Sequence, residues 1–343
     1  MKNPAQWNAA DLHRHLQHAL ELELWTLVLY LTALYSIKGL TKLRHHEYPE
    51  AAKLIFSVAI QEMLHIELVC NLSNALGYAP KFTIPTFDPS KGMPFIHPPL
   101  HLLPNDVKGY RAKPQALHKE ALMLFCAIEL PHPKEEIMWE HKNRYGSIAE
   151  VYEAIRQGVV AHWDSYYIGD EKNTKQKNIF REYHNQGGKR HGFSVVINSR
   201  AAAETALEAI IDQGEGADAK RVPATFRPPS HKEGEEFDTS WYKGHLSHYQ
   251  KFRILLHSHH KLPPVYEEYK NESAEAANNE MRKAFKDFWK TLEVSFNTPG
   301  EDMEKTFWSQ MAPLGTSLAH VWESGMCPDF DVTDMPSDLQ KSG

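Results

Sequence analysis

The sequence predicts an all-α protein, built as a bundle of four long helices with additional peripheral helices and long ordered loops. Two observations lead to this prediction. Apolar residues recur at alternating spacings of four and three along several long segments, which is the period of an amphipathic α-helix. Residues that cap or stop helices flank several of these segments, among them Pro49 and Gly77.

The composition fits one globular chain rather than a fibrous or disordered one. Of 343 residues, 42% are hydrophobic and 24% are charged, which is ordinary for a folded protein. We expect a single elaborated domain over residues 1–330 and a flexible tail over 331–343. The formal charge is −6 and no basic tract carries interleaved aromatics, so a nucleic-acid partner is not expected.

The expected compartment is the cytoplasm. The three cysteines include no Cys-x-x-Cys spacing, which excludes a disulfide framework and a thiolate zinc cluster. The N-terminal residues lack the apolar run of a secretory signal. The apolar run over 22–37 begins beside Glu21 and Glu23, so we interpret it as a core helix and expect no membrane partner.

The first two predicted helices carry polar side chains within their apolar stripes. The first spans 10–38 with Glu23 in its stripe, and the second spans 48–77 with Glu62 and His65. Residues three apart on a helix point the same way, so Glu62 and His65 can reach one metal ion. A buried carboxylate without a partner costs several kcal/mol, so these positions require a cation, a partner or a metal.

The remaining elements are assigned from periodicity and from helix-breaking residues. They are a long ordered excursion over 80–114, shorter helices near 116–129 and 147–164, an insertion over 166–199 with a short strand at 193–197, third and fourth bundle helices over Arg200–Glu215 and Thr239–Leu256 as an antiparallel hairpin, outer helices near 274–296 and 302–323, and a frayed tail after Met326.

The third and fourth predicted helices supply the other candidate ligands. His245 and His248 form an i, i+3 pair on an apolar face, although histidines there are more often ordinary core residues. The third helix offers several acids on one face. Its end should lie opposite His245, which favours Glu215, but Glu208 stays open and the Gln-Gly-Glu-Gly stretch also suits a simple helix stop.

Together the helices offer a Glu, an ExxH pair, a further Glu and a second i, i+3 pair, which is typical of carboxylate-bridged dimetal sites in helix bundles. The predicted metal ligands are Glu23, Glu62, His65, Glu215, His245 and His248. The competing interpretation is a hydrogen-bonded network of the same side chains with no metal.

Several segments also resemble a known family. These segments are ALELELWTLVLYLTALYSI, AIQEMLHIELVCNLSNALG, YGSIAEVYEAIRQGV, IIDQGEGA and HLSHYQKF. They resemble ferritin-like proteins related to the iminophenyl-pyruvate dimer synthase segment of violacein-type pathways, over most of residues 10–325. The resemblance implies a ferritin-like four-helix bundle and places Glu23, Glu62, His65, Glu215 and His248 at the metal positions of the family.

The chain departs from the family at His245, where the family has Glu before Leu-Ser-His. Three Glu ligands then leave one positive charge against two divalent ions, which favours an anionic substrate or bridging ligand. The alternative is a single iron with open positions.

The resemblance implies a non-haem iron enzyme with one or two ions, most simply two, that uses O2 to oxidise a small amino-acid-derived or imine-like substrate in specialised metabolism. Manganese is an alternative metal. The alternative function is an iron-binding, ferroxidase-type protein without an organic substrate. A homo-oligomer is compatible with either function.

Overall fold

The computed structural model describes residues 1–83, 85, 87, 96, 103–131, 137–139, 144–180, 195–214, 246–269, 271, 273–300 and 304–331. These residues form eight α-helices and no strand, which confirms the all-α prediction. The helices are α1 (Ala9–Tyr35), α2 (Glu50–Ala75), α3 (Lys119–Ile128), α4 (Ile148–Tyr166), α5 (Arg200–Gly214), α6 (His248–His257), α7 (Ala274–Asn297) and α8 (Glu304–Glu323).

Helix α1 is fixed at both ends by side-chain hydrogen bonds. At its start, Asn8 Oδ1 accepts from the Asp11 backbone N–H at 2.9 Å and Asp11 accepts from the Asn8 N–H at 3.2 Å, a capping box. At its end, the Ser36 hydroxyl accepts from the Leu117 N–H at 2.9 Å. Both ends of the helix that carries Glu23 are therefore fixed, the first by neighbouring residues and the second by a contact with Leu117.

Helices α1 and α2 form the most extensive helix pair in the described part of the chain. Helix α2 is long and apolar enough to cross a membrane, but 83% of its most apolar window is buried by other parts of the protein. Burial of this kind is expected for the core helix of a soluble bundle. The polar side chains within these two helices consequently lie in the interior.

The pairing of the later helices differs from the prediction. Helix α6 packs mainly against α3 and only touches α5, while α5 packs against α4. The predicted α5–α6 hairpin is therefore not the main contact of either helix among the described residues, and the segment 215–245 that joins the two helices lies outside them. Helix α3 is the more buried of the two neighbours, with seven of its ten residues buried against five of fifteen in α5.

Helix α6 also begins later than predicted. Leu246 and Ser247 are not helical, and residues 239–245 lie outside the described residues. Ser247 caps the helix, since its hydroxyl accepts from the Gln250 N–H at 3.2 Å and Gln250 Oε1 accepts from the Ser247 N–H at 2.9 Å. This capping box makes His248 the first helical residue.

The expected strand at 193–197 and the expected frayed tail after Met326 both differ from the structure. Residues 195–197 of the expected strand are not in a strand, and 193–194 lie outside the described residues. Residues 327–331 pack on α7 instead of fraying, because Phe330 is 1% exposed and lies edge-on to Phe285 at 5.1 Å, while residues 332–343 lie outside the described residues. Apolar burial of Phe330 holds this part of the tail.

The stability of the fold should depend on His15 in α1. The His15 ring stacks on Trp7 at 3.9 Å, and its Nδ1–H donates to the Asp11 carbonyl oxygen at 2.6 Å. Burial lowers the pKa of His15 to about 4, against about 6.5 in an unfolded chain. The unfolded state therefore takes up the proton first, and stability falls as pH drops from about 6.5 to about 4.

We expect His15→Phe, which keeps the aromatic stack, to flatten this dependence. The wild-type chain should lose up to about 3 kcal/mol more than the variant across that pH window. Urea unfolding at several pH values measures the difference. Parallel stability profiles for the two proteins would contradict the role given to His15.

Candidate metal centre

Five buried side chains from four helices meet at one point in the bundle. They are Glu23 of α1, Glu62 and His65 of α2, Glu129 directly after α3, and His248 at the start of α6. They form two groups, Glu23–Glu62–His65 and Glu62–Glu129–His248, and within each group the possible ligand atoms lie within 4.8 Å of one another. Glu62 belongs to both groups, which we call the first and second triads.

The distances within the triads are short enough for shared metal ions. His65 Nδ1 lies 3.2 Å from Glu23 Oε2 and 3.8 Å from Glu62 Oε2. His248 Nδ1 lies 2.9 Å from Glu62 Oε1 and 3.5 Å from Glu129 Oε1. The two imidazole rings are stacked, with centroids 5.5 Å apart. Glu62 thus presents one oxygen to each histidine, as a bridging carboxylate would.

Each of the three carboxylates accepts a hydrogen bond from a buried hydroxyl group. The pairs are Tyr152 with Glu23, Thr26 with Glu62 at 3.0 Å, and Tyr30 with Glu129 at 2.5 Å. Burial and the adjacent carboxylates raise the pKa of both tyrosines well above the usual value, so they remain donors. Hydrogen bonds of this kind fix the orientation of a ligand carboxylate.

The side chains of the triads shift one another's pKa. Burial, with Glu23 and Glu129 nearby, raises the pKa of Glu62 well above its usual range. Burial would also raise the pKa of Glu23, but the contact with His65 outweighs it and lowers that pKa. The metal-free centre therefore retains protons that a metal ion must displace, so binding should weaken as the pH falls.

The residues present fit a metal ion. His248 is fully buried, and within the described part of the chain neither of its ring nitrogens has a hydrogen-bond partner of normal geometry, although Glu62 Oε1 lies 2.9 Å from Nδ1. Burial lowers the pKa of His248, which favours the neutral ring with a free lone pair. A cavity of about 20 Å3 lies among the triads, and about 10–15 Å3 is enough for one water. Carboxylate and imidazole donors suit iron or manganese better than a soft metal.

A family comparison agrees with this geometry. The ferritin-like family model matches residues 16–257, a range that spans α1 to α6 and contains every residue of both triads. The chain belongs to the ferritin-like family.

A solved structure is similar over nearly the whole chain of this ferritin-like protein. It is the crystal structure of a ferritin-like protein from Caulobacter vibrioides, with 26% sequence identity and a TM-score of 0.66. The alignment covers 95% of this chain and 99% of that chain. No curated protein matches the sequence. The comparisons therefore support the fold and the family, and they point to no particular synthase.

The structure brings four of the predicted ligands of this ferritin-like chain together, namely Glu23, Glu62, His65 and His248. Glu215 and His245 lie outside the described residues. The alternative acid Glu208 is exposed and does not line the cavity. Because Ser247 caps α6, an i, i+3 pairing of His245 with His248 within one regular helix is wrong.

Sequence reasoning missed Glu129. The residue ends a strongly apolar segment, Ala121 to Ile128, and its side chain is buried in this ferritin-like bundle. The same signal, a carboxylate within an apolar helix, had identified Glu23. The sequence predicts a short helix near residues 116–129, but Glu129 at its end is not among the predicted ligands.

Proposed function

We propose that this ferritin-like chain binds two iron ions and uses O2 to oxidise a small organic substrate. The observation that supports this most directly is the pair of buried Glu/His triads joined by Glu62. Two-metal sites have ions about 3.5–4 Å apart, a separation that one shared carboxylate can bridge. When bound, iron supplies the redox chemistry with O2 that the side chains themselves lack.

The protein's own residues would hold and shield the ions. Glu23 and His65 would hold one ion, Glu129 and His248 the other, and Glu62 both. The buried hydroxyl groups of Thr26, Tyr30 and Tyr152 keep the carboxylates in place. Burial of all five ligands excludes bulk water, which strengthens every electrostatic interaction inside the centre.

The charge balance supports an anionic substrate or bridging ligand. The three carboxylates of the described triads leave one positive charge against two divalent ions. Lys251 adds to it, since it is buried one turn from His248 and donates to Gln61 Oε1 at 2.6 Å. Burial lowers the pKa of Lys251 to about 7, so the amine carries part of a positive charge at neutral pH.

The cavity has room for ions or water, and the apolar residues in its wall favour a partly apolar substrate beside it. Besides the ligands and Tyr152, the cavity is lined by Ile148, Ala149, Ile210, Ile211 and Gly214. Together with the resemblance to the iminophenyl-pyruvate dimer synthase segment, this supports an amino-acid-derived or imine-like acid of specialised metabolism. We also propose that the protein acts in the cytoplasm, as a monomer or a homo-oligomer; these points rest on the sequence alone. Manganese is the alternative to iron at the same ligands.

Anaerobic reconstitution with Fe(II), followed by O2, tests the proposal. We expect about two irons per chain. When an amino-acid-derived imine acid is supplied, the protein should consume more O2 than its Fe(II) alone can reduce. Mass spectrometry should then detect an oxidised organic product. O2 uptake limited by the added Fe(II), with ferric mineral and no organic product, would favour iron oxidation instead. Failure to bind iron would remove both functions.

A further inference from the structure

The last turn of α5 reaches the metal centre through a residue outside the two triads. Gln213 Oε1 lies 3.1 Å from His65 Nε2, while the other ring nitrogen, Nδ1, faces Glu23 Oε2 at 3.2 Å. A neutral imidazole carries its proton on one nitrogen and a lone pair on the other. When a metal ion takes the place of the proton on Nδ1, an acceptor at Nε2 keeps the remaining proton there and leaves the Nδ1 lone pair pointing into the first triad.

The next residue brings the same helix end against the second triad. A Cβ added to Gly214 would lie 3.3 Å from Glu129 Oε2, tighter than ordinary van der Waals contact. Glycine thus lets the α5 backbone approach that carboxylate. Helix α5 packs on α2 and α4, and Arg156 of α4 lies 3.7 Å from Glu204 of α5. The last turn of α5 consequently lies against both triads, through Gln213 and Gly214.

We propose that Gln213 is a positioning residue that holds His65 with Nδ1 toward the first metal ion. This proposal rests on the metal function above. The amide is neutral, so it orients the ring without adding a negative charge to a centre that already contains three carboxylates. Partners behind a metal-binding histidine fix its proton position and ring orientation, and their loss typically weakens metal binding about 10–100-fold.

The test uses Gln213→Leu, which removes the acceptor at similar size, and Gln213→Glu, which keeps an acceptor. Co(II) titration followed by visible absorption gives the affinity of each ion. We expect Gln213→Leu to weaken one of the two ions about 10–100-fold and to leave the other within a few-fold. Gln213→Glu should bind both ions, because its carboxylate still offers an acceptor to His65 Nε2.

Nitrogen-15 NMR of histidine in the Zn(II)-loaded protein reports the ring directly, without any activity assay. The wild-type chain and Gln213→Glu should show His65 bound through Nδ1 with a slowly exchanging proton on Nε2, whereas Gln213→Leu should lose that slow exchange. Gln157→Leu is the matched control, because Gln157 is a partly buried glutamine of α4 that accepts from Trp139 Nε1 at 2.8 Å and lies outside the cavity lining.

The outcomes separate the two proposals. Equal Co(II) affinities and an unchanged His65 signal in Gln213→Leu would overturn the role of Gln213 while leaving the metal centre standing. Equal losses in Gln213→Leu and Gln157→Leu would also overturn it, since the effect would then be general destabilisation. No binding of Co(II) or Zn(II) by the wild-type chain would remove the centre itself.

Discussion

Glu62→Gln is expected to remove both metal ions, whereas Glu129→Gln removes one. Glu62 belongs to both triads and Glu129 to the second alone, so only the first change deprives both ions of a charged ligand. The amide keeps the shape of the side chain but loses the negative charge. We expect the affinity for each ion in Glu62→Gln to fall by more than the roughly 100-fold seen when a residue behind a ligand is lost.

Glu67→Gln provides a matched control for this experiment. Glu67 is a second buried glutamate of α2, but its carboxylate accepts from the Ile179 N–H at 2.6 Å instead of lining the cavity. Burial raises its pKa to about 8, so it is mostly protonated at neutral pH and an amide replaces it with little change. Metal analysis and Co(II) titration should find two ions in this variant. Equal ion counts in Glu62→Gln and Glu129→Gln would contradict the shared-carboxylate geometry.

Phe252→Ala is expected to lower the free energy of unfolding more than the other substitutions proposed for this protein. Phe252 is fully buried on α6, with its ring centroid 4.9 Å from that of Tyr30 and 5.0 Å from that of Phe125. Truncating a buried phenylalanine to alanine costs about 3–5 kcal/mol through lost burial and the remaining cavity. Urea unfolding of the metal-free protein measures this loss.

The same change should also loosen the second triad more than the first. Phe252 lies one helical turn after His248 and supports Tyr30, which donates to Glu129. Phe252→Leu should cost less than about 1.5 kcal/mol, and Val294→Ala, at a side chain 54% exposed, should stay within about 0.5 kcal/mol. A loss below about 1 kcal/mol in Phe252→Ala would show that this aromatic cluster does not hold α3 and α6 together.

Much of the first triad could be predicted because its information is local. The four-and-three spacing of apolar residues identifies α1 and α2, and a buried carboxylate in each stripe identifies Glu23 and Glu62. The i, i+3 relation then brings His65 to the same side as Glu62 whatever the rest of the fold does. Three of the five ligands of the described centre follow from such reasoning within two helices.

The second triad depends on contacts between distant segments. His248 was predicted as a ligand, but as the second member of an i, i+3 pair inside a helix. In the structure the capping box at Ser247 makes it the first residue of α6. Glu129 was missed because it lies at the end of a short helix, where no apolar stripe extends on both sides of the carboxylate. Glu129 is buried because α3 packs against α6. Its carboxylate also accepts a hydrogen bond from the hydroxyl of Tyr30, a residue 99 positions away in the chain.

The sequence by itself determined an all-α bundle, the long helices, and the carboxylates and histidine of the first triad, since helical periodicity and the cost of burying charge act over a few residues. Only the tertiary structure decided that α3 pairs with α6, that Glu129 and His248 complete the second triad, and that Gln213 reaches His65. Those contacts depend on which apolar faces bury each other best, and that choice is a property of the whole packed chain rather than of any one helix.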